Sequence, residues 1–146
     1  MKEILKILFC LTLILISISY YETNNVFGDK QTKEQIKIAF KDATKLFQNG
    51  DYNQAITIYD QILESSPNNI STLNMKGIGY SNMEQHAKSL KQFYKVLQND
   101  PDNVKALLGT GIGFGNLGEY SESLKYLEKA DEINPNNTVI QNYKDI

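Results

Sequence analysis

The length, composition and charge of the chain limit what it can do. Its 146 residues, of which 41% are hydrophobic, suit one folded domain. The 15 basic residues are all lysines, the net charge is −2 and no long run of one sign occurs, a distribution that disfavours nucleic-acid binding. With Cys10 as the single cysteine and His86 as the single histidine, the sequence excludes an internal disulfide and strongly disfavours a zinc site.

The first 21 residues have the pattern of a targeting segment. A charged start, MKEILK, is followed by the apolar run ILFCLTLILISI and by the small residues Ser17 and Ser19. This order is typical of a secretory signal peptide, and the run is shorter than the roughly 20 residues that span a bilayer. We expect residues 1–21 to be a signal peptide cleaved after Ser19, with an uncleaved membrane anchor as the alternative. Residues 22–31 are polar and are predicted to be a linker.

The three prolines of the chain mark an internal repeat. Successive prolines are 34 residues apart, and each is followed by two residues that favour turns: Pro67-Asn68-Asn69, Pro101-Asp102-Asn103 and Pro135-Asn136-Asn137. A period of 34 is typical of stacked helix-turn-helix units. The sequence therefore divides into repeats at 36–69, 70–103 and 104–137, with residues 138–146 as a capping helix.

Each half of a repeat carries small and apolar residues at positions i, i+4 and i+7, which lie on one face of a helix. In the first halves these trios are Ala39-Ala43-Leu46, Leu73-Gly77-Tyr80 and Leu107-Gly111-Phe114. In the second halves they are Ala55-Tyr59-Ile62, Ser89-Phe93-Val96 and Ser123-Leu127-Ala130. Between the halves, Gly50 and Gly118 are able to adopt the left-handed conformation that ends a helix and reverses the chain.

On these residues the chain resembles the tetratricopeptide repeat family. Repeat one meets the family pattern at Ala43, at Gly50-Asp51-Tyr52, at Ala55 and at Pro67, and departs from it at Leu46, where the family has an aromatic residue. Repeat two departs further, because Glu84 and His86 replace the glycine and the aromatic residue of the turn. The resemblance implies an all-α fold for residues 32–146. We expect a right-handed α-solenoid of three antiparallel helix pairs plus a C-terminal capping helix.

The segment GIGFGNLG, residues 111–118, contains a match to a dinucleotide-binding motif. Shifted by one repeat it aligns with GIGYSNME, so we expect its glycines inside a helix and no nucleotide site. A glycine inside a helix costs about 1 kcal/mol relative to alanine. Gly77 and Gly111 allow the helices of a pair to approach, whereas Gly109 and Gly115 have no evident packing role. We therefore expect Gly115→Ala to stabilise the domain and Gly111→Leu to unfold it.

The family resemblance also implies a binding surface. In this family the first helix of each pair lines a concave face, which binds an extended peptide or a helix of a partner. The residues at the matching positions are Lys37, Phe40, Lys41, Thr44, Asn74, Ile78, Asn82, Lys105, Leu108, Ile112 and Asn116; we call this set the first-helix face. Its lysines are also consistent with a merely solvated surface, whereas exposed apolar residues off the packing stripe indicate a patch that a partner covers.

A subset of the family binds the C-terminal carboxylate of a partner through lysines, asparagines and an arginine. Lys105 matches one of these positions, but Phe40, Thr44, Met75 and Gly109 stand at the others. The residues for this activity are therefore missing, and it is not expected here.

No nucleophile with a base and no cluster of metal ligands emerges from the sequence. We therefore expect no enzymatic activity, no cofactor and no metal. The main hypothesis is a non-catalytic module that binds another protein or peptide, either exported or tethered with its repeats outside a membrane. Nucleic acid is not an expected partner, and membrane contact is expected only through residues 1–21 if they stay uncleaved. The alternative is a self-associating structural or assembly protein of the cell envelope, a homo-oligomer formed by end-to-end packing.

Overall fold

A computed structural model of the chain describes residues 14–15, 32–135 and 137–144. The chain divides into two compact units, residues 1–38 and 39–146. In the first unit, the described residues 14–15 and 32–38 are helical. The predicted signal peptide or anchor (1–21) and linker (22–31) lie outside the described residues, apart from Ile14 and Leu15. Where the chain is described, it has no helix with the length and apolar character needed to cross a membrane.

From residue 32 onward the described chain consists of helices joined by short turns, without a strand. The helices are α1 (32–48), α2 (Tyr52–Ser65), α3 (Ile70–Asn82), α4 (His86–Asn99), α5 (Val104–Asn116), α6 (Tyr120–Ile133) and α7 (Thr138–Lys144). The starts of α3, α5 and α7 follow the 34-residue period, as do those of α2, α4 and α6. The predicted all-α solenoid of helix pairs is thus confirmed, and the glycine-rich segment of the nucleotide motif lies within α5 and the turn after it.

The turn inside each helix pair uses a backbone conformation with positive φ. Gly50 has a φ of 86° and Gly118 a φ of 80°, as the sequence predicts. Glu84, which stands at the equivalent place in repeat two, has a φ of 58°. The array therefore keeps the same turn geometry in all three repeats, although an L-residue in this region is strained relative to glycine.

The turn between repeats is fixed by an asparagine that caps the next helix. The side chain of Asn69 accepts a hydrogen bond from the Thr72 amide at 3.0 Å, and Asn103 accepts one from the Ala106 amide at 3.1 Å. Asn137 does the same for the Val139 amide at 3.0 Å. These bonds satisfy amides at a helix N-terminus that have no partner within the helix. The second helix of each pair ends two residues before the proline.

The core lies along the predicted stripes. All nine residues of the second-half trios are buried, and in the first halves Ala43, Leu73 and Leu107 are at most 1% exposed. Successive helices from α2 to α7 pack against one another in chain order. Ile140 of α7 is fully buried in a cluster with Leu107 and Ala130, so α7 covers the apolar side of the last pair.

Close approach of the helices explains four of the glycines. The ring of Phe93 lies between Gly77 and Gly109. A Cβ added to Gly77 would lie 2.8 Å from a ring atom, and one added to Gly109 would lie 2.4 Å from a ring atom. The expectation that Gly109 has no packing role is therefore wrong: it provides space for Phe93 of α4 against α5. At Gly111 a Cβ would lie 2.7 Å from Leu127, which agrees with the predicted close pairing. At Gly115 it would lie 3.3 Å from the Ser123 hydroxyl, so this site is tighter than the sequence suggests.

Candidate functional site

One residue predicted for the first-helix face, Lys37, is described by itself because it lies outside the second unit. Lys37 belongs to the first unit, is exposed and pairs with Glu34 at 3.7 Å. The other ten residues belong to the second unit. Four of them are exposed to solvent, namely Lys41, Asn82, Lys105 and Asn116.

Phe40 and Thr44 of α1 lie against a buried tyrosine of α2. The rings of Phe40 and Tyr59 are 5.7 Å apart between centroids and tilted by 46°. Tyr59 is fully buried, and this burial raises the pKa of its hydroxyl group, an effect that Thr44 partly offsets. Thr44 donates a hydrogen bond to the Phe40 carbonyl at 2.7 Å. The ring of Phe40 is therefore half-buried and packs against a tyrosine whose hydroxyl group stays uncharged.

The middle of the first-helix face is occupied by residues that hold the array together. Asn74 is only 5% exposed, and its amide nitrogen donates to the side-chain oxygen of Asn103 at 3.3 Å. Ile78 and Leu108 are half-buried and pack against the core clusters of α3 to α5 and of α5 to α7. Asn74 thus connects α3 to the cap of α5, and its burial leaves little of it for a partner to contact.

Ile112 and Asn116 line an apolar cleft of about 320 Å³ between α5, α6 and α7. We call it the C-terminal cleft. Its other walls include Tyr120, Leu124 and Tyr143, whose exposed fractions are 69%, 43% and 41%. Sequence reasoning did not select these three residues, although an apolar residue at a turn or on the outer side of the last repeat is a signal for them.

Comparison between repeats shows what shape the C-terminal cleft accepts. Leu90 is the equivalent of Leu124 in repeat two, and it is only 7% exposed. The second half of α5 covers it, since a Cβ on Gly113 would lie 2.8 Å from Leu90. Leu124 is 43% exposed among the described residues, of which seven belong to α7 and thirteen to α5. The cleft occupies the place that a further helical segment fills in the preceding repeat.

The His, Cys, Asp and Glu side chains do not gather into a metal-binding group in the part of the chain that the structure describes. That part holds no group of three or more His, Cys, Asp and Glu side chains placed to bind a metal. The carboxylate with a lowered pKa is Asp131, which Lys144 at 2.8 Å and Gln141 at 2.7 Å hold through hydrogen bonds. This arrangement fastens α7 to α6 and is structural.

Stacked helix pairs with an exposed apolar cleft define the chain as a helical repeat protein. Two family models, both described as tetratricopeptide repeat, match residues 13–69 and 114–137. The chain belongs to the tetratricopeptide repeat family.

Solved tetratricopeptide repeat (TPR) domains have a similar fold. The first TPR of Spaghetti (RPAP3), bound to the HSP90 peptide SRMEEVD, has a TM-score of 0.73 at 21% identity over 75% of this chain and 87% of its own. The second TPR domain of human RPAP3, in complex with the HSP70 peptide SGPTIEEVD, scores 0.71 at 19% identity over 77% and 94%. The Sgt2 TPR domain of Aspergillus fumigatus scores 0.72 at 21% over 76% and 75%. No curated protein sequence matches the chain significantly.

Proposed function

We propose that the chain is a non-catalytic module that binds a partner polypeptide through the first-helix face and the C-terminal cleft. The observation that carries this proposal is the exposure of Tyr120, Leu124 and Tyr143 around the cleft that Ile112 lines. Apolar side chains gathered in a concave site gain stability when a partner removes them from water. The complexes of similar domains with peptides support a polypeptide as the partner.

The partner segment that fits best is one turn or more of helix, or an extended peptide with an apolar anchor. In repeat two the equivalent of the cleft holds a glycine-containing helical segment, with Gly113 against Leu90. A partner helix with a small residue facing Leu124 would reproduce that contact. Phe40, at the other end of the first-helix face, would add a second apolar contact on the same polypeptide.

A capture experiment with matched variants tests this proposal. The tagged full chain is used to recover partners from the cells that make it, beside the variants Phe40→Glu, Ile112→Glu and Leu124→Glu. Gln61→Glu serves as the control, because Gln61 is exposed on α2 outside the proposed surface. We expect the three variants to lose a partner that the control retains. Equal recovery by all of them would remove this surface from consideration.

We also propose that the repeats work outside a membrane, either exported or tethered through residues 1–21. The support is the charged start and apolar run of that segment. N-terminal sequencing of the protein isolated from cells tests it. A start at Tyr20 indicates cleavage and export, and an intact Met1 at a membrane indicates tethering. An intact Met1 in the soluble cell fraction would contradict both forms of the proposal.

Self-association through the C-terminal end is the second candidate function. It is favoured by Ile133 and Val139, which are 42% and 47% exposed at the same end as the cleft. Two copies packing there would cover these residues and Tyr143. Sedimentation at several concentrations should then show an oligomer that Val139→Glu dissociates, whereas a monomer at all concentrations would exclude this function.

A further inference from the structure

A second surface lies on α4, where two shallow depressions meet at Tyr94 and Gln98. One has a volume of about 510 Å³ and is bordered by Lys91, Lys95 and Leu117, among others. The other, of about 430 Å³, extends to Tyr126. We call this region the α4 surface. None of its residues belongs to the first-helix face or the C-terminal cleft.

Three aromatic rings give the α4 surface a rigid wall. The ring of Tyr94 lies 6.4 Å from Phe114 and 6.3 Å from Tyr126, with tilted rings, and the rings of Phe114 and Tyr126 stack at 5.7 Å. Such pairs hold aromatic side chains in fixed orientations. Burial and a hydrogen bond with Tyr126 raise the pKa of Tyr94 to about 12, so its hydroxyl group stays neutral at physiological pH. Tyr94 nevertheless remains 37% exposed, and Leu117 at the edge is 49% exposed.

The repeat architecture does not require an aromatic residue at this position. One period away from Tyr94 stand Asp60 in repeat one and Glu128 in repeat three, both exposed carboxylates. Tyr94 therefore stands at a repeat position that is polar and solvent-exposed in the other two repeats. An aromatic residue that stays partly exposed, at a position where the repeat pattern does not require one, is a signal of a contact with another molecule.

The charge of α4 indicates which chemistry would bind there. The helix HAKSLKQFYKVLQN carries Lys88, Lys91 and Lys95 and no acidic residue, in a chain whose net charge is −2. Lys91 and Lys95 are exposed, border the larger depression and make no ion pair with any residue that the structure describes. Two acidic residues act close to this surface: Glu122, whose charge acts on Tyr94, and Asp102, which pairs at 3.0 Å with Lys129 at the border of the smaller depression. At the corresponding positions repeat one has Thr57 and Gln61, whereas repeat three has Lys125 and Lys129. The helices α2 and α6 also carry acidic residues, so lysines on a second helix without any acidic residue are particular to α4.

We propose that the α4 surface is a second docking site, which binds an acidic linear peptide carrying an aromatic or large apolar side chain. That side chain enters the depression between Tyr94 and Leu117, and the flanking carboxylates pair with Lys91 and Lys95. The attraction between carboxylates and lysines orients the peptide, and the charges and the apolar contact both contribute to the affinity. This site is separate from the one proposed above, and either is able to exist without the other.

Fluorescence anisotropy with the full chain tests the α4 surface. The probe is the labelled peptide GSEEDFEEDG, with GSEEDGEEDG and GSQQNFQQNG as controls that lack the aromatic residue or the charge. We expect the probe to bind about tenfold more tightly than either control, and more weakly at about 500 mM than at about 20 mM NaCl, because salt screens exposed charges. Lys91→Glu/Lys95→Glu and Tyr94→Asp should each weaken binding about tenfold.

Matched variants distinguish binding at the α4 surface from nonspecific electrostatic attraction and from binding at the C-terminal cleft. Lys125→Glu changes the equivalent of Lys91 in repeat three, also exposed, and should alter binding less than twofold. Ile112→Glu should leave it unchanged. Tyr94→Asp introduces the residue type that repeat one carries at this place, and its circular dichroism spectrum should match that of the parent chain.

Four results would overturn the α4 proposal. They are absence of probe binding at low salt, equal binding of the uncharged or phenylalanine-free peptide, equal loss with Lys125→Glu, and unchanged binding by Tyr94→Asp. A fifth result concerns which molecule binds the α4 surface. If sedimentation shows an oligomer that Tyr94→Asp dissociates, a second copy of the chain covers this surface and the peptide proposal is wrong. Loss of binding with Ile112→Glu alone would assign the peptide to the C-terminal cleft and also reject the α4 site.

Discussion

Replacing Glu84 by glycine should stabilise the protein, although the change removes a whole side chain. Glu84 has a φ of 58° in a turn where the other two repeats have glycine, with φ values of 86° and 80°. The left-handed region costs an L-residue roughly 1–2 kcal/mol, and glycine avoids this strain. Glu84 is exposed and has no ion pair among the described residues, so its side chain contributes little that would be lost.

The net effect is smaller than the strain itself, because glycine also gives the unfolded chain more freedom. That freedom lowers stability by about 0.4–1 kcal/mol. Subtracting it leaves a predicted gain of about 0.5 kcal/mol for Glu84→Gly, or about 2–4 °C in Tm for a domain of this size. Gly50→Ala and Gly118→Ala should lose a similar amount. A Cβ at either position meets no atom within 4 Å, so these two variants report the backbone alone.

Thermal and urea unfolding of the full chain, followed by circular dichroism at the helix band, measures the three variants. Glu84→Asn is a useful intermediate, because asparagine tolerates positive φ better than glutamate does. The expected order of Tm is Glu84→Gly, then Glu84→Asn, then the parent chain, then the two alanine variants. If Glu84→Gly lowers Tm while Gly50→Ala and Gly118→Ala raise it, the assignment of a positive-φ turn residue to each repeat is wrong.

Three further predictions concern packing, capping and pH. Gly109→Ala should lower the free energy of unfolding in urea by about 1–2 kcal/mol. The reason is that overpacking against Phe93 outweighs the gain of about 1 kcal/mol in helix propensity. An increase in stability would contradict the placement of Phe93. Asn103→Ala should cost about 1–2 kcal/mol by the same assay, since α5 loses its cap, and a change near zero would argue against that cap. Lys144 lowers the pKa of Asp131 in the folded protein. Ionised Asp131 therefore stabilises the folded state at pH values above the ordinary aspartate pKa, and this stabilisation is lost as the pH falls through the lowered pKa. Asp131→Asn should therefore reduce Tm at neutral pH and leave it unchanged once Asp131 is protonated in strong acid; an equal reduction at both pH values would refute the linkage.

Features that depend on local pattern and period are predictable from the sequence. The proline period gives the 34-residue spacing of the helix starts, and the i, i+4, i+7 trios give the buried positions of the second helices. Gly50 and Gly118 mark the turns, because only a residue that tolerates positive φ suits that place. The same period correctly assigns the glycine-rich segment of residues 111–118 to a helix and its turn, against the match to a nucleotide motif.

Features that depend on contacts between repeats are not predictable in this way. Gly109 shows its role only once the ring of Phe93, in the preceding repeat, is seen to lie against it. Asn74 fits a surface position by its place in the repeat, yet a hydrogen bond to Asn103 across the repeat boundary accompanies its burial. The C-terminal cleft depends on how α5, α6 and α7 pack around it, which the periodic pattern does not specify.

Photo-crosslinking in cells is the most direct test of polypeptide binding at the C-terminal cleft. A benzoylphenylalanine residue is placed at position 112 in one variant of the chain and at position 61 in another, where the side chain is exposed on α2 away from the proposed surface. A covalent adduct with a discrete polypeptide is expected from position 112 and none from position 61. The absence of an adduct at position 112, or equal adducts from both positions, would contradict it.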